Sequence, residues 1–126
     1  MDPKSISAIC SATVVSRLTY AISAWWGFVS AADKEKLQAV INGAKRWGFC
    51  GETCPPIADI CAKREHKLFN SILINPCHVL RHLLPPEKHI VYSLRPRAHN
   101  RELPNKTNSL YAKNFLTRLL YNSLQQ

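Results

Sequence analysis

Ile6, Cys10, Val14, Leu18, Ala21, Ile22 and Trp25 recur at three- and four-residue steps, the spacing that gathers side chains on one face of a helix. The pattern predicts a helix from about Ser5 to Trp26, ended by Gly27. Ser30, with Asp33 three residues on, forms a short version of the capping box ahead of Leu37, Val40, Ile41 and Ala44. Lys45, Arg46 and Gly48 suit the far end of that second helix, where cations and a left-handed residue are favoured. Two such helices joined by a few residues predict an antiparallel hairpin.

Gly51 to Pro56 is rich in helix breakers, and Pro55 or Pro56 suits the start of a third helix because its first turn needs no backbone donor. Ile57, Cys61, Leu68 and Ile72 then share one side, with Phe69 and Leu73 beside it, until Asn75 and Pro76 stop the run. Cys77 to Leu84 reads as one more short helical stretch. From Pro85 to Lys106 the periodicity is lost, and the segment is expected to be extended, with a short strand at His89 to Tyr92. Asn108 or Ser109 caps a last helix carrying Tyr111, Phe115, Leu116, Leu119 and Leu120. The expected fold is mainly α: a helical hairpin, a third long helix, an extended proline- and arginine-rich segment and a C-terminal helix. Three regions follow, 1–84, 85–107 and 108–126, within a single domain or fragment. The expected core includes Leu18, Tyr20, Trp25, Trp26, Leu37, Ile41, Leu68, Phe69 and Ile72.

A chain of 126 residues with 46% hydrophobic content allows one modest core. Charge changes the picture more. The net +9 is lopsided: Met1–Asp59 holds six basic and five acidic residues, whereas Ile60–Gln126 holds eleven and three. Such asymmetry points to a polyanionic partner, nucleic acid before membrane. The five cysteines are an odd number, Asp2 sits where a secretion signal would be basic, and no run reaches the ~18 apolar residues of a membrane span. These features predict an intracellular protein, cytoplasmic or nuclear, with free thiols. Asn105-Lys-Thr107 matches a glycosylation acceptor, which has no meaning without secretion.

Catalytic chemistry finds little to stand on. The aspartates are Asp2, Asp33 and Asp59, none beside another acid, so the paired anions needed to seat two activating metal ions are missing. Cys50, Cys54, Cys61, His66, Cys77 and His78 are candidate metal ligands by type. Only Cys50 and Cys54 approach the spacing of a zinc pair, and Cys61 and His66 fall about 140° apart around a helix. No cofactor, metal or small-molecule substrate is expected, and the chain on its own is read as noncatalytic. Trp25, Trp26 and Trp47 are read as core rings before base-stacking ones. The binding candidates are Lys88, His89, Tyr92, Arg95, Arg97, His99 and Arg101, where arginine bridges phosphate oxygens and tyrosine or histidine offers a face to an unpaired base. A second patch, Lys63, Arg64, His66 and Lys67, reads as a solvated helix face.

Several blocks carry a resemblance: Val15-Ser-Arg-Leu-Thr-Tyr20, Ser23-Ala-Trp-Trp-Gly-Phe28, Ser30-Ala-Ala-Asp33, Asn75-Pro76 with His78-Val-Leu80, Leu83-Leu-Pro-Pro86, and Tyr92 through Asn100 ending in Leu103-Pro104. Leu37 stands behind the Ser30 block, Leu68-Phe69 and Ile72 precede Asn75, and the resemblance covers roughly Val14 to Tyr121. In order and spacing the chain resembles the thumb and post-thumb region of non-LTR retrotransposon (jockey-like) endonuclease–reverse transcriptases. The resemblance implies a noncatalytic piece of an RNA-directed DNA polymerase, with RNA or an RNA–DNA hybrid as partner and a reverse transcriptase palm as its neighbour. By position it makes the helix ending at Trp26, the partner from Ala31 to Trp47 and the arginine run duplex- or RNA-contacting elements. No Tyr-x-Asp-Asp core is present, so no catalytic residue carries over. Met1–Thr13 does not continue into palm sequence, and Cys50, Cys54 and Cys61 are not features of the family. The alternative is a helical protein–protein module, or a transposon-derived relic without selected activity, with an apolar surface around the final helix.

Overall fold

The computed structural model describes residues 2–92 and 95–124, and the chain is mainly helical. Its helices are α1 (Pro3–Cys10), α2 (Ser16–Leu18), α3 (Ile22–Trp25), α4 (Ala31–Arg46), α5 (Ile57–Ile74), α6 (Ser109–Lys113) and α7 (Phe115–Asn122). No strand occurs among the described residues, and the one at His89–Tyr92 is absent. A lone antiparallel bridge joins Glu87 to Arg101 instead. Ser93 and Leu94, inside the expected extended segment, lie outside the described residues, as do Met1, Gln125 and Gln126.

The first helix is not the single rod that its periodicity predicts. A π-helical turn, Ser11–Val15, links α1 to α2, and Ala21 then takes a left-handed conformation at φ 47° before α3 begins. Hydroxyls explain the distortion. Thr13 Oγ1 donates to the Ile9 carbonyl at 2.7 Å, Ser16 to that of Ala12, and Thr19 Oγ1 to that of Val15 at 2.7 Å. Such back-bonding competes with the helical ladder and bends it. The carbonyls freed at the break are satisfied: Arg64 Nη1 donates to Thr19 O at 2.9 Å and Trp25 Nε1 to Tyr20 O at 2.8 Å. Tyr20 is consequently no core residue. The break turns it outward, 79% exposed, and Thr19 is buried in its place.

Pro3–Phe28 taken together is long and apolar enough to cross a membrane, by length and composition alone, a test that soluble core helices also pass. No unbroken apolar run marks it in the sequence, because Ser11, Ser16, Arg17 and Thr19 interrupt the stretch.

α4 begins and ends as its sequence requires. Ser30 Oγ accepts from Asp33 N at 3.2 Å and donates to Asp33 Oδ2 at 2.8 Å. At the other end Gly48 adopts φ 73°, Phe49 N reaches Ala44 O at 2.9 Å and Gly48 N reaches Lys45 O at 3.0 Å, the paired bonds of a Schellman cap. The side chain of Gln38 on α4 accepts from Ile57 N at 2.9 Å, meeting one of the open donors of α5. α5 ends before Asn75, whose Oδ1 accepts from Cys77 N at 3.0 Å, and Arg81 Nη1 donates to the Leu73 carbonyl at 2.7 Å.

The chain divides into two compact units, Met1–Arg64 and Glu65–Gln126, with the boundary inside α5. In the first, Ile22, Ile41, Ile57 and Cys61 form a buried cluster against which Leu18, Trp25, Trp26 and Leu37 pack. Both indoles are half-buried and meet edge to face at 6.1 Å, because Trp26 opens a 3-10 turn that changes its direction from that of Trp25. In the second unit Phe69, Ile72, Leu84, Leu119 and Leu120 are buried, with Leu68, Phe115 and Leu116 packed against them. The single C-terminal helix expected from the sequence is two, because Asn114 leaves helical geometry to cap α7, its Oδ1 accepting from Leu116 N at 3.1 Å; Asn108 likewise caps α6 through Tyr111 N at 2.7 Å. Short helical structure between Cys77 and Leu84 is confined to the 3-10 turn Arg81–Leu83.

Candidate nucleic-acid interface

Prolines and the lack of a periodic apolar pattern leave residues 85–107 without a helix or strand to join, so their polar groups must be met by other means. The segment closes on itself. Lys88 N donates to Asn100 O at 2.7 Å, and Glu102 N to Pro86 O at 2.9 Å, which brings the two ends of a loop together. Arg101 fastens that closure. Its Nη1 donates to Pro85 O at 2.9 Å and its Nη2 pairs with Glu87 Oε1 at 3.3 Å, with the arginine side chain 11% exposed.

His99 anchors the same base to the core of its unit. Its Nδ1 accepts from Arg101 N at 3.2 Å, which leaves the proton on Nε2, and Nε2 donates to Leu120 O at 2.9 Å. The ring also meets Phe69 edge to face at 6.1 Å. With 7% exposure and both nitrogens engaged, His99 has no ring nitrogen left to bond a base. His99 and Arg101 therefore leave the set of binding candidates: they build the loop. Their chemistry made them candidates, and the same chemistry, two nitrogens and a five-donor fork, lets them tie together a segment without regular structure.

The remaining candidates lie on the exposed part of the loop. Lys88, Tyr92 and Arg97 line a concavity of about 460 Å³ together with Ile90, Ala98 and Asn100, and His99 forms part of its wall. Tyr92 is 75% exposed, and Lys88 and Arg97 are exposed as well. Neither cation forms an ion pair among the described residues. Arg95 and His89 are exposed but do not line the hollow.

Several of the other cations serve the fold. Arg64 and Arg81 satisfy backbone carbonyls, as described above. Lys106 Nζ sits 4.0 Å from the Tyr121 ring centroid while Tyr121 donates to Pro104 O at 2.7 Å. Arg118 pairs with Glu65 at 2.6 Å and also donates from Nε to Lys113 O at 3.0 Å. The Lys63–Lys67 patch is accordingly divided, with Arg64 tied down and Lys63, His66 and Lys67 exposed on α5.

Among the described residues no group of three or more His, Cys, Asp or Glu side chains is arranged to hold a metal ion. Cys50 is buried, and burial followed by a hydrogen bond with Cys50 pushes the Cys54 thiol above its ordinary value, the reverse of an activated nucleophile. Asp33 is held below its ordinary value by the Ser30 hydroxyl and then by Lys36, whose Nζ lies 3.1 Å from Oδ1. That carboxylate belongs to a helix cap.

The first unit offers a different surface. Ile6, Ile9, Cys10, Val14, Ala44 and Phe49 line an apolar groove of about 410 Å³, with Ile9 49% and Phe49 53% exposed. No family model, curated protein or solved structure matches the chain.

Proposed function

We propose that this chain is a noncatalytic, nucleic-acid-gripping piece of a mobile-element RNA-directed DNA polymerase, binding RNA or an RNA–DNA hybrid through phosphate contacts. The observation that carries the binding is the closed loop of the second unit, which directs Lys88, Tyr92 and Arg97 to one concavity while Arg101 and His99 hold its base. A surplus of eleven basic over three acidic residues in Ile60–Gln126 supplies the long-range attraction. The mobile-element origin rests on the resemblance of Val14–Tyr121 to the thumb and post-thumb region, and the absence of adjacent aspartates supports a noncatalytic role.

The test is fluorescence anisotropy with a labelled RNA–DNA hybrid and with the RNA strand alone, titrated over a range of salt. Phosphate-dominated binding gives a linear fall of log affinity with log salt, of slope about −0.7 to −0.9 per phosphate neutralised. Affinity that is absent at low salt, or present and indifferent to salt, refutes the proposal.

The apolar groove beside α1 supports a second reading, a protein–protein module. The sequence expectation put an apolar surface around the last helix, where Leu119 and Leu120 are buried but Leu110, Tyr111 and Leu124 are exposed.

A further inference from the structure

We infer that the hollow in the loop between Lys88 and Asn100 is a pocket for a single unpaired nucleotide, with Tyr92 stacking on the base and Lys88 and Arg97 taking the flanking phosphates. This rests on the nucleic-acid reading above and narrows it from any phosphate chain to strands with a base free to enter.

Three features lead there. The first is size and lining. A volume of about 460 Å³ falls in the range of small-molecule sites, about 300–1,000 Å³, and suits one nucleotide. Its lining combines an aromatic and an aliphatic residue, Tyr92 and Ile90, with two cationic residues and the polar Asn100. A plain phosphate grip needs only the cations. The apolar members act where a base edge or face leaves water, and base–aromatic stacking contributes about 1–3 kcal/mol per base.

The second feature is a fixed base. Lys88 and Asn100 are joined by the 2.7 Å bond between their backbones, and the adjacent His99 ring is held by two hydrogen bonds and by Phe69. The Lys88–Asn100 side of the hollow is therefore set by main-chain closure and does not rely on a ligand to assemble it, which lowers the cost of binding. The third is access. In a paired helix the bases are stacked inside and present no face, so a duplex can meet Lys88 and Arg97 but cannot fill the space beside Tyr92.

The experiment compares a fluorescein-labelled oligouridylate with a blunt-ended RNA–DNA hybrid on the full chain and on Tyr92→Ala, Tyr92→Phe and Arg97→Ala. The expected result is tighter binding of the oligouridylate than of the blunt hybrid, a loss of about 5- to 160-fold for Tyr92→Ala on the single strand only, and retention by Tyr92→Phe. Arg97→Ala weakens both probes. Tyr92 is 75% exposed, so its replacement leaves the cores untouched. Equal affinity for the two probes with no effect of Tyr92→Ala, while Arg97→Ala still weakens both, overturns the pocket and leaves the phosphate grip standing. No binding of either probe at low salt overturns both.

Discussion

Replacing Arg118 with alanine removes the partner of a carboxylate that water scarcely reaches. Glu65 and Arg118 meet at 2.6 Å with side-chain exposures of 9% and 18%, in the same unit as the Phe69–Leu120 core. Breaking a buried pair from one side leaves an uncompensated charge and costs about 3–5 kcal/mol, a large share of the about 5–15 kcal/mol that holds a typical domain together. The loss also includes the Arg118 Nε bond to Lys113 O, which closes the link between α6 and α7. Exposure sets an asymmetry. Arg118 reaches water more readily than Glu65, so Glu65→Gln costs less than Arg118→Ala. The double replacement Glu65→Leu with Arg118→Met removes both charges and keeps comparable volume, and it lands within about 1 kcal/mol of the parent or above it. Urea denaturation followed by far-ultraviolet circular dichroism measures all four proteins. A drop below about 1 kcal/mol for Arg118→Ala, or a double variant as damaged as that single one, refutes the premise that an isolated anion is what the fold cannot hold.

Gly48→Ala places a Cβ at φ 73° with nothing within 4 Å of it, so the cost is conformational alone, about 1 kcal/mol in urea stability; an unchanged midpoint contradicts the left-handed cap. Arg101→Ala destabilises by about 2 kcal/mol, since it removes bonds to Pro85 O and Glu87. Arg97→Ala leaves stability within about 0.5 kcal/mol and lowers the salt slope of RNA binding by about 0.7–0.9; the reverse assignment in paired melts and titrations would exchange their roles. Because Ser30 and Lys36 depress the Asp33 carboxyl, its contribution to stability is complete above the ordinary value of 3.8 and fades as pH falls through the lower folded value. The stability difference between parent and Asp33→Asn therefore shrinks on acidification, and a difference that grows there contradicts the cap.

Local chemistry was readable where a residue type has one strong preference. Ser30, Gly48 and Asn108 stand where capping rules put them, and of the face read from the apolar spacing of α5, Ile57, Cys61 and Ile72 are buried while Leu68 is half-buried and its neighbour Phe69 lies deeper. The breaks were not readable from periodicity, because Thr13, Ser16 and Thr19 are tolerated in a helix until their hydroxyls turn back on the ladder. Glu65 was hidden for a related reason. It occupies the register between Cys61 and Phe69, but an acidic residue enters a core only if its partner does, and Arg118 is 53 positions away. In the basic segment, composition identifies the cations without sorting them. Arg97 and Arg101 look alike in sequence, and what separates them is whether a proline carbonyl without a ladder partner lies within reach.

A loop tied at its base by backbone closure and by two side chains outside its tip separates the residues that hold its shape from the exposed ones of the proposed pocket. Lengthening the arc between Ile90 and Arg97 raises its closure entropy only logarithmically, by about 0.6 kcal/mol for each doubling of length, while Arg101 and His99 keep their carbonyl partners. New tips can thus be grafted onto the same foundation, and this stretch is a natural insertion point for selecting altered ligand preference without redesigning the helices beneath.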